Sequence, residues 1–312
     1  MSTEIEEKLE KIPVVRTLVK LLKLIVLPGF KGLSLYDLLE IYTVGIVKGT
    51  FSSRASSVAY SFFIAIFPFI LFMLNLIPVV RIQNFQNEFL DLIQRVLPPQ
   101  TQDFFMPVIS DIALNPRNSL ISFTFFLTLF LVANGVNSIF SAFEYSVHVT
   151  INRNFFRQYL MALMVSIFLA LLLLITVGSI LYGEYIINQL KASSLIENDF
   201  AWINFLQYTV FVIMLYVAIS TLYHFGVKEG RQTRFFSIGA LVTTLLFLVT
   251  TYFFGVYINN FSNYNELYGS IGALLIMMFY IWINANLLLL GFELNISLRR
   301  LREKSIHNTN QE

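Results

Sequence analysis

The sequence predicts an all-α fold: a polytopic membrane protein of six transmembrane helices, with amphipathic cytoplasmic N-terminal helices and a short extracytoplasmic helical pair. Three observations carry this. Hydrophobic residues make up 56% of the 312 positions and charged residues only 13%, where an ordinary soluble domain has roughly 25% charged residues. With 32 Phe and 15 Tyr, a soluble chain of this length could not hide its apolar surface. Finally, the apolar residues gather into six runs, each near the length of about 20 residues that a helix needs to cross the hydrocarbon.

The chain opens with residues 1–57, read as a cytoplasmic region. Glu4, Glu6, Glu7 and Glu10 come first, and the first long apolar run begins more than fifty residues in. That pattern speaks against a cleavable signal peptide. Leu9, Ile12, Leu18, Leu22 and Ile25 approximate a helical stripe that Pro28-Gly29 breaks. Ser34 can cap a second helix, with Asp37 at its N3 position, followed by Leu35, Leu38, Leu39, Tyr42 and Ile46 at helical spacing. Such helices either lie on the membrane with their lysines toward headgroups or pack beneath the bundle.

The transmembrane domain is read as residues 58–295. Its spans cover about 58–77, 120–143, 160–182, 203–224, 235–258 and 271–294. Barrel strands would be near ten residues and alternating. Between the first two spans lies an extracytoplasmic loop, 81–119. Phe85, Phe89, Leu92, Ile93 and Val96 form one amphipathic stripe there, Pro98-Pro99 ends it, and Phe104, Phe105, Val108, Ile109 and Ile112 form a second. A basic tail, 296–312, closes the chain.

Orientation follows from the basic residues. Of the 21, only Arg81, Arg95, Arg117 and Lys191 fall in the alternate loops, leaving 17 for the other segments. The positive-inside rule then puts both termini in the cytoplasm. The net charge of +2 argues against a nucleic-acid partner, which usually meets a strongly basic chain.

Polar residues inside spans cost free energy and mark interior or wet faces. In the second span Asn134, Asn137, Ser141 and Glu144 form one stripe, which His148 extends. It reads either as the lining of a hydrophilic cavity or as interhelical hydrogen bonding, typically worth about 0.6 to 2 kcal/mol per contact. Span one shows a weaker stripe of Ser57, Ser61, Pro68 and Asn75; Pro68 removes a backbone donor near mid-membrane and so marks a bend or a hinge. Span four has Tyr216, Ser220 and Tyr223 beside His224, and span five has Thr243, Thr244, Thr250 and Thr251, whose hydroxyls can bond back to their own helix. Span six carries Asn284 and Asn286 on opposite faces, with Glu293 and Asn295 near its cytoplasmic end. Polar groups on both faces suggest a helix surrounded by protein.

The residues Arg54-Ala-Ser-Ser-Val-Ala-Tyr-Ser-Phe-Phe through Ile66-Phe-Pro68 resemble the first-span motif of the YihY/BrkB family of bacterial inner-membrane proteins. Asn134 to Glu144, followed by Arg153 and Arg157, resembles that family's second span and basic loop. Tyr268-Gly-Ser-Ile-Gly-Ala273 through Gly291-Phe-Glu-Leu-Asn295 resembles its last span, with Phe292 where Ala is usual and Trp282 slightly displaced. The resemblance implies six spans. It implies no settled activity: family members once carried a ribonuclease BN label, widely regarded as a misassignment. Other family associations are serum resistance and the movement of envelope lipids or other solutes.

The residues themselves agree with setting the nuclease aside. A metal nuclease needs clustered ligands, whereas His148, His224 and His307 lie far apart and there is no cysteine. No enzyme, cofactor or metal is expected, and no Ser-His-Asp arrangement, zinc motif or phosphate loop is present. The first expectation is a transporter or lipid flippase whose path runs between spans 1, 2 and 6. Its candidate residues are Ser61, Pro68, Asn75, Asn134, Asn137, Ser141, Glu144, Asn284, Glu293 and Asn295. Glu144 and Glu293 would pair with Arg153 or Arg157, or bind a proton. Membrane lipids and a lipid or small-molecule substrate are the expected partners. The alternative is a non-catalytic envelope scaffold or assembly factor, docking through its amphipathic segments. An intramembrane enzyme built on Glu144 and His148 ranks last.

Overall fold

The computed structural model describes residues 50–76, 90, 106–107, 110–111, 118–146, 154–192, 200–260 and 270–309. The expected N-terminal amphipathic helices lie outside the described residues, as does most of the loop 81–119.

Six long helices make up the described chain: α1 (Thr50–Leu76), α2 (Asn118–Glu144), α3 (Phe155–Ala192), α4 (Phe200–Gly226), α5 (Ile238–Asn260) and α6 (Ser270–Thr309). All six are long and apolar enough to cross a membrane, and the described residues contain no strand. In hydrocarbon every backbone polar group must be satisfied within the segment, which selects helices for runs of this kind. Each predicted span lies within or against one helix, but the helices run further. α1 begins at Thr50 rather than near residue 58, α3 continues to Ala192, and α6 carries straight on through the basic tail to Thr309. Hydropathy finds the lipid-matched middle of a helix, while its ends extend as far as backbone bonding continues.

Each helix packs on the next in chain order, and α6 returns to α1, so the six close into a circuit. α2 also reaches across to α4 and α6. Where they meet, three buried rings interlock: Phe143 of α2 stacks on Phe292 of α6 at 4.0 Å between centroids, and both meet Tyr223 of α4 edge-on at 5.7 and 5.8 Å. Edge-to-face and offset-stacked contacts of this kind are favourable for aromatic quadrupoles. The Tyr223 hydroxyl donates to Leu288 O of α6 at 2.7 Å and meets Thr243 Oγ1 of α5 at 2.7 Å. One phenol therefore ties α4, α5 and α6 together.

α5 and α6 cross at two glycines. A Cβ on Gly239 would strike Gly291 O, and a Cβ on Gly291 would strike Thr243 Oγ1. Small residues let membrane helices approach closely enough for such contacts. Thr243, Thr244 and Thr251 bond back to carbonyls four residues earlier, as their spacing predicts. Ser237 caps α5, accepting the Ala240 N–H on its Oγ. The 3₁₀ turn Glu229–Gln232 joins α4 to α5, and Arg299 of α6 donates to Glu229 O at 2.9 Å, so the last helix braces that turn.

The outside of the circuit is strongly apolar. Phe123, Phe126 and Phe130 of α2, Leu171 and Leu174 of α3, and Tyr252 and Phe253 of α5 are all exposed. A continuous surface of this kind belongs in lipid.

Candidate functional site

The charged centre of the bundle is a pair of residues from α1 and α6. Arg54 Nη1 lies 3.6 Å from Glu293 Oε1, with side chains only 10% and 7% exposed. Arg54 is held on three sides. It meets Glu293, it donates to Ala142 O of α2 at 2.9 Å, and its guanidinium lies 4.8 Å from the centre of the Phe51 ring. Glu293 is held in turn by Ser146, whose hydroxyl donates to Oε2 at 2.6 Å. Two charges in this setting persist only when each is paired and hydrogen-bonded.

In front of Arg54 a cavity of about 390 Å³ opens between α1 and α2. Ser53, Arg54 and Ser57 line it from α1, and Ser138, Ser141, Ala142 and Tyr145 from α2 and the turn after it. Ser57 and Ser138 face each other at 3.3 Å between hydroxyl oxygens. Ser141 accepts from Gln158 Nε2 of α3 at 3.0 Å. Among the described residues the lining holds five hydroxyls and one guanidinium, and no carboxylate. Ser61, one turn further along α1, donates back to Ser57 O at 3.0 Å.

The polar stripe of α2 points away from the aromatic centre. Asn134 is nine residues from Phe143, half a revolution in helical phase. It is exposed on the same face as Phe123, Phe126 and Phe130. Asn134 thus sits on the exposed side of α2, while Asn137 and Ser141, further along the stripe, are partly buried.

The other candidate residues are placed as follows. Ser141 lines the cavity, and Glu293 stands behind it without lining it. Pro68 lies inside an unbroken α1. Asn137 is partly buried, with Oδ1 meeting no donor among the described residues. Glu144 ends α2 and is partly exposed. Asn284 donates back to Tyr280 O at 2.9 Å, and Asn286 does the same to Trp282 O at 2.8 Å. Asn295 is buried at the α5–α6 crossing, its Cβ against Gly239. Neither Asn284 nor Asn295 lines the cavity. Arg157 is exposed; Arg153, His148 and the Asn75 side chain lie outside the described residues. The partner of Glu293 is thus Arg54, 239 positions away in sequence, and neither of the two loop arginines is needed to explain its burial.

Arg54, Ser53, Ser138, Ser146 and Tyr145 were not among the expected site residues. Arg54 carried a usable signal: it is the one basic residue that falls inside the first membrane-crossing window, Phe51–Phe72. Among the described residues no group of three His, Cys, Asp or Glu side chains is placed to hold a metal ion.

Fold and site together define a polytopic, all-helical membrane protein with a buried ion pair beside a hydroxyl-lined cavity. The virulence factor BrkB family matches residues 45–312, and the chain belongs to that family. A ribonuclease-like protein, YfkH, of Bacillus subtilis is 25% identical over 255 residues, covering 80% of this chain and 91% of its own length. A UPF0761 membrane protein of Coxiella burnetii is 25% identical over 253 residues, covering 76% of this chain and 84% of its own. Another UPF0761 membrane protein, from Kangiella koreensis, is 33% identical over 95 residues, 30% of this chain and 23% of its own. No solved structure matches the chain.

Proposed function

We propose that the chain is a transporter, of the flippase type or for a small solute, that works from the cavity between α1 and α2 without catalytic chemistry of its own. The carrying observation is the placement of a buried guanidinium beside a hydroxyl-lined space of about 390 Å³ in an otherwise apolar surface. An ionisable side chain at membrane depth is costly in lipid and is by default a functional-site hypothesis. The expected location is the bacterial inner membrane with both termini in the cytoplasm, which the partition of basic residues supports. On that orientation the cavity lies at the cytoplasmic end of α1 and α2.

Reconstitution tests the reading. Vesicles containing the protein should move fluorescent lipid analogues, or a retained solute, at least several times faster than empty vesicles. Ser57→Phe with Ser138→Phe should fill the recess and return the rate to that of empty vesicles. Equal rates in protein-containing and empty vesicles, across lipid and solute probes, would remove transport and favour the scaffold reading.

A further inference from the structure

The cavity's chemistry narrows what it can take. Among the described residues its lining pairs one full cation with five hydroxyls and holds no carboxylate, so it suits an anion with several oxygens. Ser141 already accepts the Gln158 amide proton, and its own O–H is left to donate. The Ser57–Ser138 pair uses one hydroxyl proton between its oxygens, leaving the other proton to give. Glu293 stays behind Arg54. Its Oε1 is 3.6 Å from Arg54 Nη1, and its Oε2 accepts from Ser146 at 2.6 Å. The carboxylate holds the guanidinium by charge and is not itself a lining residue of the cavity.

The mouth of the cavity faces the wrong way for a central channel. Ser53, Ser57 and Tyr145 are exposed lining residues, and the surface around them carries exposed Tyr60 and Phe67 on α1 and Phe126 and Phe130 on α2. From Tyr145 to Asn134 the polar face runs eleven residues along the chain, on the order of 16 Å of helix rise, about half the hydrocarbon thickness. Further along the same two helices, outside the cavity lining, Phe72 of α1 packs on Phe125 of α2 at 5.4 Å. A cavity with a cation and hydroxyls, opening beside exposed aromatic side chains of the same two helices, matches a molecule with an oxygen-rich head and apolar tails.

We propose that this cavity binds a phosphate group, presented sideways by an anionic lipid of the leaflet level with Arg54. Arg54 supplies charge, while Ser57, Ser138 and Ser141 supply hydroxyl donors. The proposal names the substrate class for the transport reading and rests on it for the site's purpose.

The test is binding, measured separately from transport. Purified full-length protein is equilibrated with short-chain phosphatidylglycerol, with diacylglycerol of the same chain length, or with inorganic phosphate, and bound ligand is read by native mass spectrometry. Phosphatidylglycerol should be retained at least about tenfold better than diacylglycerol. Arg54→Gln with Glu293→Gln removes both charges and leaves no unpaired ion, so the bundle should still form; retention should fall about tenfold. Ser57→Ala with Ser138→Ala should weaken it several-fold, and Arg157→Gln, an exposed cation outside the cavity, should leave it unchanged. If inorganic phosphate displaces the lipid, the phosphate site stands but its ligand is soluble, and the lateral lipid entry is overturned. Resistance to displacement supports the lipid. Equal retention of diacylglycerol, or retention unaffected by the double Gln variant, overturns the proposal. Binding without translocation would instead sink the transport reading alone.

Discussion

At the scale of single residues, the Arg54–Glu293 pair has the largest energetic consequence. Both side chains are at least nine-tenths buried. Removing one partner leaves a buried charge uncompensated, which costs about 3 kcal/mol or more. Removing both costs much less, because neither desolvation penalty remains. Glu293→Gln should therefore lower the thermal midpoint of the detergent-solubilised protein strongly, and the double variant with Arg54→Gln should recover at least half of the loss. Equal destabilisation by the single and double variants would mean that the two charges are not energetically coupled. Sequence reading offered Glu144 or Glu293 a partner in Arg153 or Arg157, the basic residues between spans two and three, or a proton. The partner of Glu293 lies on α1, because the helix circuit closes α6 against α1. Nothing in local spacing encodes a contact between the first span and the last.

At the scale of elements, the α5–α6 crossing is governed by backbone contact. Gly239 and Gly291 each lack room for a Cβ, since the obstructing atoms are carbonyl oxygen and a buried hydroxyl. Gly239→Ala should push the two helices apart and cost about 3 kcal/mol. Gly255→Ala, on the same helix with nothing within 4 Å of the added carbon, should be neutral or stabilise by up to about 1 kcal/mol through helix propensity. Thermal unfolding of the two variants side by side checks this, and similar midpoints would argue against a tight crossing. The spans themselves were legible: four of the six predicted runs fall within a helix, and the first and fifth overlap most of one. The early start of α1 was not, because Arg54 interrupts the apolar run and hydropathy cannot register that a charge is paired. Asn284 and Asn286 were legible as polar anomalies, yet both bond back to their own helix. The Asn284 Oδ1 is left buried with no donor among the described residues.

At the scale of the whole molecule, orientation is the property with the simplest test. The chain has no cysteine, so single introduced thiols give clean labelling. Lys228→Cys, exposed in the segment joining α4 to α5, should react only when the cytoplasmic face is opened; Asp111→Cys, exposed between α1 and α2, should react in intact cells. The reverse pattern would invert the topology and place the cavity at the outer end. The near-neutral total of +2 conceals this asymmetry, because 17 of 21 basic residues sit on one side of the predicted spans.

The sequence by itself determined the class of protein, the number of spans and the expected orientation. Those properties depend on composition and run length, which act locally along the chain through the cost of placing each residue in hydrocarbon. Tertiary structure decided which polar residues meet. It brought Arg54 to Glu293 and Ser146, set Ser57 against Ser138, and turned the Asn134 stripe outward, away from the Phe143, Tyr223 and Phe292 rings. Helical periodicity shows that polar residues share a face. Which way that face looks depends on how the helix is rotated against its neighbours, and that is settled by packing among residues far apart in the chain.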